Sequence, residues 1–91
     1  MEDVRAEIDR LDKTIVALIG KRLQYVQAAA KFKTSESSVR TPERFTAMLQ
    51  QHRLWAQEHG LSPDAIEKLY SDLVNHFIEE EMKMWRRETS K

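Results

Sequence analysis

The amino-acid sequence predicts an all-helical fold, and three observations support this class. Apolar residues recur at steps of three and four along three segments, which is the spacing of one face of a helix. The 91 residues include two glycines and two prolines, so residues that interrupt helices are few. No segment alternates apolar and polar residues in the pattern of a strand. We therefore expect one all-α domain of three helices, covering residues 1–91.

The first helix is expected to be the longest, running from Val4 to about Lys33 with Asp3 as its N-cap. Its apolar face comprises Val4, Ile8, Leu11, Ile15, Leu18, Tyr25, Ala29 and Phe32. Roughly 30 residues at about 1.5 Å each give a rod of about 45 Å, whereas a compact domain of this size has a radius of gyration near ~12 Å. Such a helix extends beyond its own domain, which favours a homodimer in which it packs on the partner chain.

Two further helices follow, and each has a clear start signal. Thr41 as N-cap and Pro42 at the first helical position predict the start of the second helix. Gly60, which accepts a positive φ, predicts its end. Ser62, followed by a proline, gives the third helix the same kind of start. The serine-rich segment at 34–41 is predicted to be an exposed, mobile loop.

Charge and composition argue against several classes of protein. Fifteen basic and fifteen acidic residues cancel, so no overall attraction to nucleic acid or to an anionic membrane is expected. Cysteine is absent from the sequence and the three histidines lack the spacing of zinc ligands, so neither a disulfide nor a metal is expected. No segment is apolar for long enough to span a membrane, which favours a soluble, cytoplasmic protein. Motifs for phosphate-bound cofactors and covalent catalysis are also missing.

Two of the predicted helices carry charged residues on apolar faces. Arg22 occupies the one position missing from the apolar face of the first helix, and a buried arginine requires an anionic partner. On the third helix, Glu80 and Glu81 fall on the face that carries Phe77 and Trp85, so at least one of them must point inward or lie at an interface edge. A structural ion pair between Arg22 and such a carboxylate explains the pattern as well as a ligand contact does. The spacing of these residues is consistent with both the ion pair and the ligand contact.

Three further cations accompany Arg22, although each is also explained as an ordinary surface charge. Arg5 lies near the start of the same helix, Lys33 lies at its end, and Arg44 follows the start of the second helix. Together they predict a pocket that offers cations and one protonated acid, but no nucleophile. Such a pocket suits the binding of a small dianion and the stabilisation of separating charge.

Five segments resemble the all-helical chorismate mutases, and most closely the isochorismate pyruvate lyases, which make salicylate for siderophores. The segments are VRAEIDRLD at 4–12, GKRLQYV at 20–26, KFKTSE at 31–36, TPERFTAML at 41–49 and IEEEMKMWR at 78–86. They cover nearly the whole chain in the right order. The resemblance implies three helices per chain in an intertwined homodimer with two shared active sites and no cofactor.

The resemblance also implies roles for five residues. Arg5 matches an arginine contributed by the partner chain and Arg22 one from the same chain, each binding a substrate carboxylate in a two-pronged geometry. Lys33 matches a lysine that donates near the ether oxygen, where negative charge develops as the C–O bond breaks. Glu81 matches the second donor to that oxygen. Arg44 matches an arginine that helps to close the site.

Two positions depart from the pattern of some relatives. Bacterial mutases and the salicylate-forming lyases carry glutamine at the position of Glu81, whereas fungal mutases carry glutamate. A carboxyl donates only when protonated; burial raises its pKa while Lys33 and Arg22 lower it, so activity is expected to be better at acidic pH. Phe77 stands where some bacterial mutases have serine and the lyases have an aromatic residue, which favours the lyase branch.

The resemblance thus implies a cofactor-independent pericyclic enzyme acting on chorismate-type dicarboxylates. The expected activity is that of an isochorismate pyruvate lyase, giving salicylate and pyruvate, with rearrangement of chorismate to prephenate as a side activity. A dedicated chorismate mutase or an aminodeoxychorismate mutase is the alternative within the family. A non-catalytic helical dimerisation module is the alternative from another class.

Overall fold

The computed structural model describes residues 1–32 and 41–89, and within these ranges the chain forms three α-helices and no strand. Helix α1 spans Glu2–Ala30, α2 spans Pro42–Glu58 and α3 spans Pro63–Thr89. The prediction of an all-α chain with three helices is confirmed. Most of the segment expected to form a mobile loop lies outside the described residues. The extent of the domain, residues 1–91, stays a prediction.

Both ends of α1 differ from the predicted ones. The backbone N–H of Arg5 donates to the carbonyl of Met1 at 3.0 Å, so Met1 is the N-cap and the prediction of Asp3 was wrong. Asp3 lies in the first turn instead, where its negative charge interacts favourably with the helix dipole. At the other end, Phe32 N–H donates to the carbonyl of Ala29 at 3.0 Å. This bond spans three residues rather than four, which tightens the chain and ends the helix at Ala30.

The boundaries of α2 and α3 follow the local signals. Thr41 is the N-cap of α2 and Pro42 is its first residue, as predicted. Gly60 has a φ of 71°, the left-handed conformation that glycine adopts without a Cβ penalty, and it follows the end of α2. Ser62 Oγ accepts a hydrogen bond from the N–H of Ala65 at 3.2 Å, which is the geometry of a capping serine.

Helix α3 packs against both of the other helices and forms the centre of the chain. With α2 it makes an antiparallel pair, because Arg53 on α2 forms an ion pair with Asp64 at 2.8 Å near their connection. Further along, the ring of His52 lies 4.2 Å from that of Tyr70. Among the described residues the buried apolar core is small, and its members are Ala30, Ala56, Phe77 and Met82.

The first half of α1 contacts little of its own chain. Every residue from Glu2 to Leu18 is exposed. The apolar side chains at positions 4, 8, 11, 15 and 18 are among them, with exposed fractions from 46% at Leu11 to 59% at Leu18. The chain measures 54 × 25 × 15 Å and has a radius of gyration of 16.0 Å, larger than the ~12 Å of a compact domain of this length. The predicted extension of α1 beyond its domain is therefore observed.

No helix in the described part of the chain is long and apolar enough to cross a bilayer. The cytoplasmic location stays a prediction.

Candidate active site

A cavity of about 480 Å³ lies where the second half of α1, the start of α2 and the second half of α3 meet. Its volume falls in the range of small-molecule sites, about 300–1,000 Å³. All three helices contribute to its walls. The apolar part of the wall comprises Val26, Ala29, Phe45, Met48, Val74, Phe77 and Ile78.

Three charged side chains line this cavity, one from each helix: Arg22, Arg44 and Glu81. Arg22 is half-buried, Arg44 is exposed at the start of α2, and Glu81 is only 7% exposed. A small anionic ligand in the cavity therefore meets two guanidinium groups and one carboxyl group against an apolar background. Arginine is the side chain best suited to bind a carboxylate in this way, because its planar fork of N–H donors matches the two oxygens.

The cavity distinguishes Glu81 from its neighbour. Glu80 is not among the cavity residues, and its Oε1 lies 3.3 Å from the Nζ of Lys83 one turn further along α3. Glu81 is buried and faces the cavity. Of the two acidic residues that the spacing placed on the apolar face, Glu81 is thus the one positioned to meet a ligand.

Arg22 is held by an aromatic contact. Its guanidinium carbon lies over the ring of Phe77, 5.1 Å from the ring centroid, which is within the range of a cation–π interaction. None of the ion pairs formed between described residues includes Arg22. A structural ion pair between Arg22 and a carboxylate of α3 was one of the two explanations that the sequence left open. No such pair is found between described residues.

The two remaining predicted site residues are Arg5 and Lys33. Arg5 is exposed, in the half of α1 that extends beyond the domain, and it does not line the cavity. Along the helix it lies about 25 Å from Arg22. Lys33 lies outside the described residues. The structure thus brings together Arg22, Arg44 and Glu81, and it separates Arg5 from them within one chain.

The sequence did not indicate two polar residues of the cavity wall, Thr41 and Asn75. Thr41 was predicted as an N-cap, which it is, but its side chain makes no capping hydrogen bond and lies at the cavity. Its position beside the start of α2, three residues before Arg44, was the available signal. Asn75 is an exposed residue of α3 without a distinctive spacing, and only the packing of the helices brings it to the cavity.

The fold and the cavity define an all-helical chain with a small-molecule-sized cavity that presents two arginines and a glutamate. Residues 4–82 match the family described as chorismate mutase type II, and the chain belongs to this family. The resemblance noted from the five sequence segments is confirmed.

Three relatives give the range of similarity. The chain is 41% identical to an isochorismate pyruvate lyase of Pseudomonas aeruginosa over 87 residues, which cover 96% of this chain and 86% of the relative. It is 40% identical to the T-protein of Haemophilus influenzae over 81 residues, or 88% of this chain and 20% of the relative. It is 35% identical to the T-protein of Enterobacter agglomerans over 65 residues, which cover 70% of this chain and 17% of the relative. The chain therefore spans about a fifth of each T-protein and most of the lyase.

Proposed function

We propose that this chain is a cofactor-independent isochorismate pyruvate lyase that also rearranges chorismate to prephenate. The observation that carries the proposal is the cavity in which Arg22, Arg44 and Glu81 face an apolar wall. The similarity to the Pseudomonas aeruginosa lyase over nearly the whole chain supports the choice of reaction within the family. Phe77 in the cavity wall also supports the lyase reaction, because the lyases have an aromatic residue at this position by the family resemblance.

The proposed mechanism uses binding and electrostatics rather than a nucleophile. Isochorismate and chorismate each carry two carboxylates and an enolpyruvyl ether, and both reactions break a C–O bond of that ether in a concerted step. In the lyase reaction, a hydrogen moves from the ring to the enolpyruvyl group as the bond breaks, which gives salicylate and pyruvate. Arg22 binds one carboxylate, and the apolar wall holds the substrate in the compact conformation that reacts. Arg44, exposed at the start of α2, helps to close the site.

Two residues are proposed to stabilise the charge that develops on the ether oxygen. Glu81 acts as a hydrogen-bond donor in its protonated form, for which its burial in the cavity wall is the supporting observation. Lys33 is proposed as the second donor on the strength of the family resemblance alone. A donor that strengthens its bond as the charge grows stabilises the transition state more than the substrate.

The active form is proposed to be an intertwined homodimer in which each cavity receives Arg5 from the partner chain. Two observations support this arrangement. The apolar residues in the first half of α1 are exposed in the single chain, and covering them requires a second surface. Arg5 also lies about 25 Å along the helix from Arg22 of its own chain, too far for the two to bind one small molecule. A partner's α1 laid across the cavity supplies both the apolar cover and the second carboxylate-binding arginine.

The test is to incubate the purified protein separately with isochorismate and with chorismate, and to measure salicylate, pyruvate and prephenate. We expect equal amounts of salicylate and pyruvate from isochorismate and a slower formation of prephenate from chorismate. Prephenate without salicylate would instead identify a dedicated mutase, which the description of the matching family favours as the second candidate. Turnover of the amino analogue alone would identify an aminodeoxychorismate mutase. No turnover of any of the three would leave a dimerisation module.

A further inference from the structure

Phe77 and Arg22 form the one cation–π pair found among the described residues, and it lies at the cavity. Phe77 is 3% exposed, so its ring is fixed by the core of the chain. Arg22 is half-buried and reaches the cavity from α1, with its guanidinium carbon 5.1 Å from the ring centroid. A buried ring of α3 thus contacts the charged end of a long side chain from another helix.

This contact restrains the arginine without occupying its donors. An arginine side chain has several rotatable bonds, and ordering it on binding lowers the affinity for a ligand. The attraction between a cation and a ring face is electrostatic, and it does not use a hydrogen bond from an N–H group. The donors of Arg22 therefore remain available for a carboxylate, whereas an ion pair with a carboxylate of α3 would compete with the ligand for them.

We infer that Phe77 is a positioning residue for Arg22: its ring holds the guanidinium in the orientation that binds a substrate carboxylate. This inference rests on the proposed function and deepens it. Because Arg22 binds the carboxylate in the substrate and in the transition state alike, Phe77 acts mainly on substrate affinity.

The kinetic test compares Phe77→Leu with Phe77→Tyr. Leucine keeps an apolar side chain but removes the ring face, and we expect KM to rise about 5- to 30-fold, as for loss of a partly desolvated cation–π contact. The value of kcat is expected to change far less than KM. Tyrosine keeps the ring face and is expected to restore KM to within about twofold of the wild-type value. A KM for Phe77→Leu equal to that of the wild type would overturn the inference.

A matched control separates positioning from simple filling of the cavity. Phe45 is also an aromatic residue of the cavity wall, half-buried on α2, and no cation lies over its ring among the described residues. Both Phe77→Leu and Phe45→Leu are combined with Arg22→Gln, since a neutral amide is not attracted to the ring face as a cation is. We expect Phe77→Leu to raise KM much less in the Arg22→Gln background, and Phe45→Leu to have the same effect in both. Additive effects for both phenylalanines would show that Phe77 only fills space.

An NMR measurement tests the contact without relying on turnover. Protons of the Arg22 side chain that lie over the Phe77 ring are shifted upfield by its ring current, and their resonances are assigned by their absence from Arg22→Lys. We expect the upfield shift in the wild type and in Phe77→Tyr. We expect it to disappear in Phe77→Leu or, should that variant not fold, in Phe77→Met. Unshifted resonances in the folded wild type would overturn the inference, whereas failure of the wild type to convert either substrate would contradict the proposed function alone.

Discussion

Mixing two inactive variants is predicted to restore activity, because each proposed site takes Arg5 from one chain and Arg22 from the other. The two residues lie about 25 Å apart along one helix, so a single chain cannot bring them to one small ligand. Removing either arginine removes a charged, two-pronged contact worth about 3 kcal/mol, which corresponds to a loss of about 100-fold or more in kcat/KM. Arg5→Ala and Arg22→Ala homodimers are therefore both expected to be nearly inactive.

The expected recovery of activity follows from the proposed sharing of each site between two chains. Unfolding the two variants together and refolding them gives a statistical mixture in which about half of the dimers contain one chain of each kind. In each mixed dimer, one site has both arginines and the other has neither. The mixture is expected to regain about a quarter of the wild-type activity per chain.

The assay is salicylate or prephenate formation at low substrate concentration, before and after refolding. Each variant refolded alone serves as the control for damage during refolding. No recovery in the mixture, with dimers present, would refute the shared site, because it would mean that Arg5 does not act across the interface.

Three further predictions concern Glu81, the dimer and a turn. Glu81→Gln is predicted to flatten the pH dependence of the rate, since an amide donates at every pH and a carboxyl only when protonated; an unchanged pH–rate profile would mean that Glu81 does not donate to the ether oxygen. Leu11→Glu places a charge on the exposed apolar face of α1 and is predicted to shift the protein from dimer to monomer in sedimentation; a dimer that persists at low concentration would contradict the proposed interface. Gly60→Ala is predicted to lower the free energy of unfolding by about 1 kcal/mol, because φ is 71° and an L side chain is strained in that conformation. A steric clash does not contribute, since the added Cβ meets nothing within 4 Å. Gly20→Ala, where the Cβ also meets nothing and the site is inside α1, is its control and is not expected to destabilise the protein in thermal unfolding.

Local chemistry explains which parts of the fold were predictable from sequence. The starts of α2 and α3 depend on a capping residue followed by proline, and the end of α2 depends on Gly60, so these boundaries need no knowledge of the rest of the chain. The end of α1 was predicted near Lys33 but lies at Ala30, since no residue there has the strong preference that glycine or proline supplies.

The site depends on packing between distant segments, and there the sequence left alternatives. Its spacing placed Glu80 and Glu81 on the same face of α3, and only the way that α3 packs on α1 and α2 turns Glu81 to the cavity. In the same way, the periodicity of α1 marked Arg22 as unusual but did not name its neighbour. The neighbour is Phe77, a ring far along the chain. The role proposed for Arg5 rests on the length of α1 and on the family resemblance, because within one chain Arg5 does not line the cavity.

Replacement of Arg22 by alanine tests directly whether the cavity is a working site or only a structural feature of the chain. Turnover, the dimer and the melting temperature are measured on the same preparation, with Lys21→Ala as the control. Lys21 precedes Arg22 on α1, is exposed and does not line the cavity. We expect Arg22→Ala to lower kcat/KM by about 100-fold or more while the dimer stays folded, and Lys21→Ala to leave kcat/KM unchanged. An unchanged kcat/KM in Arg22→Ala, or a loss explained by unfolding of the dimer, would contradict this role for Arg22.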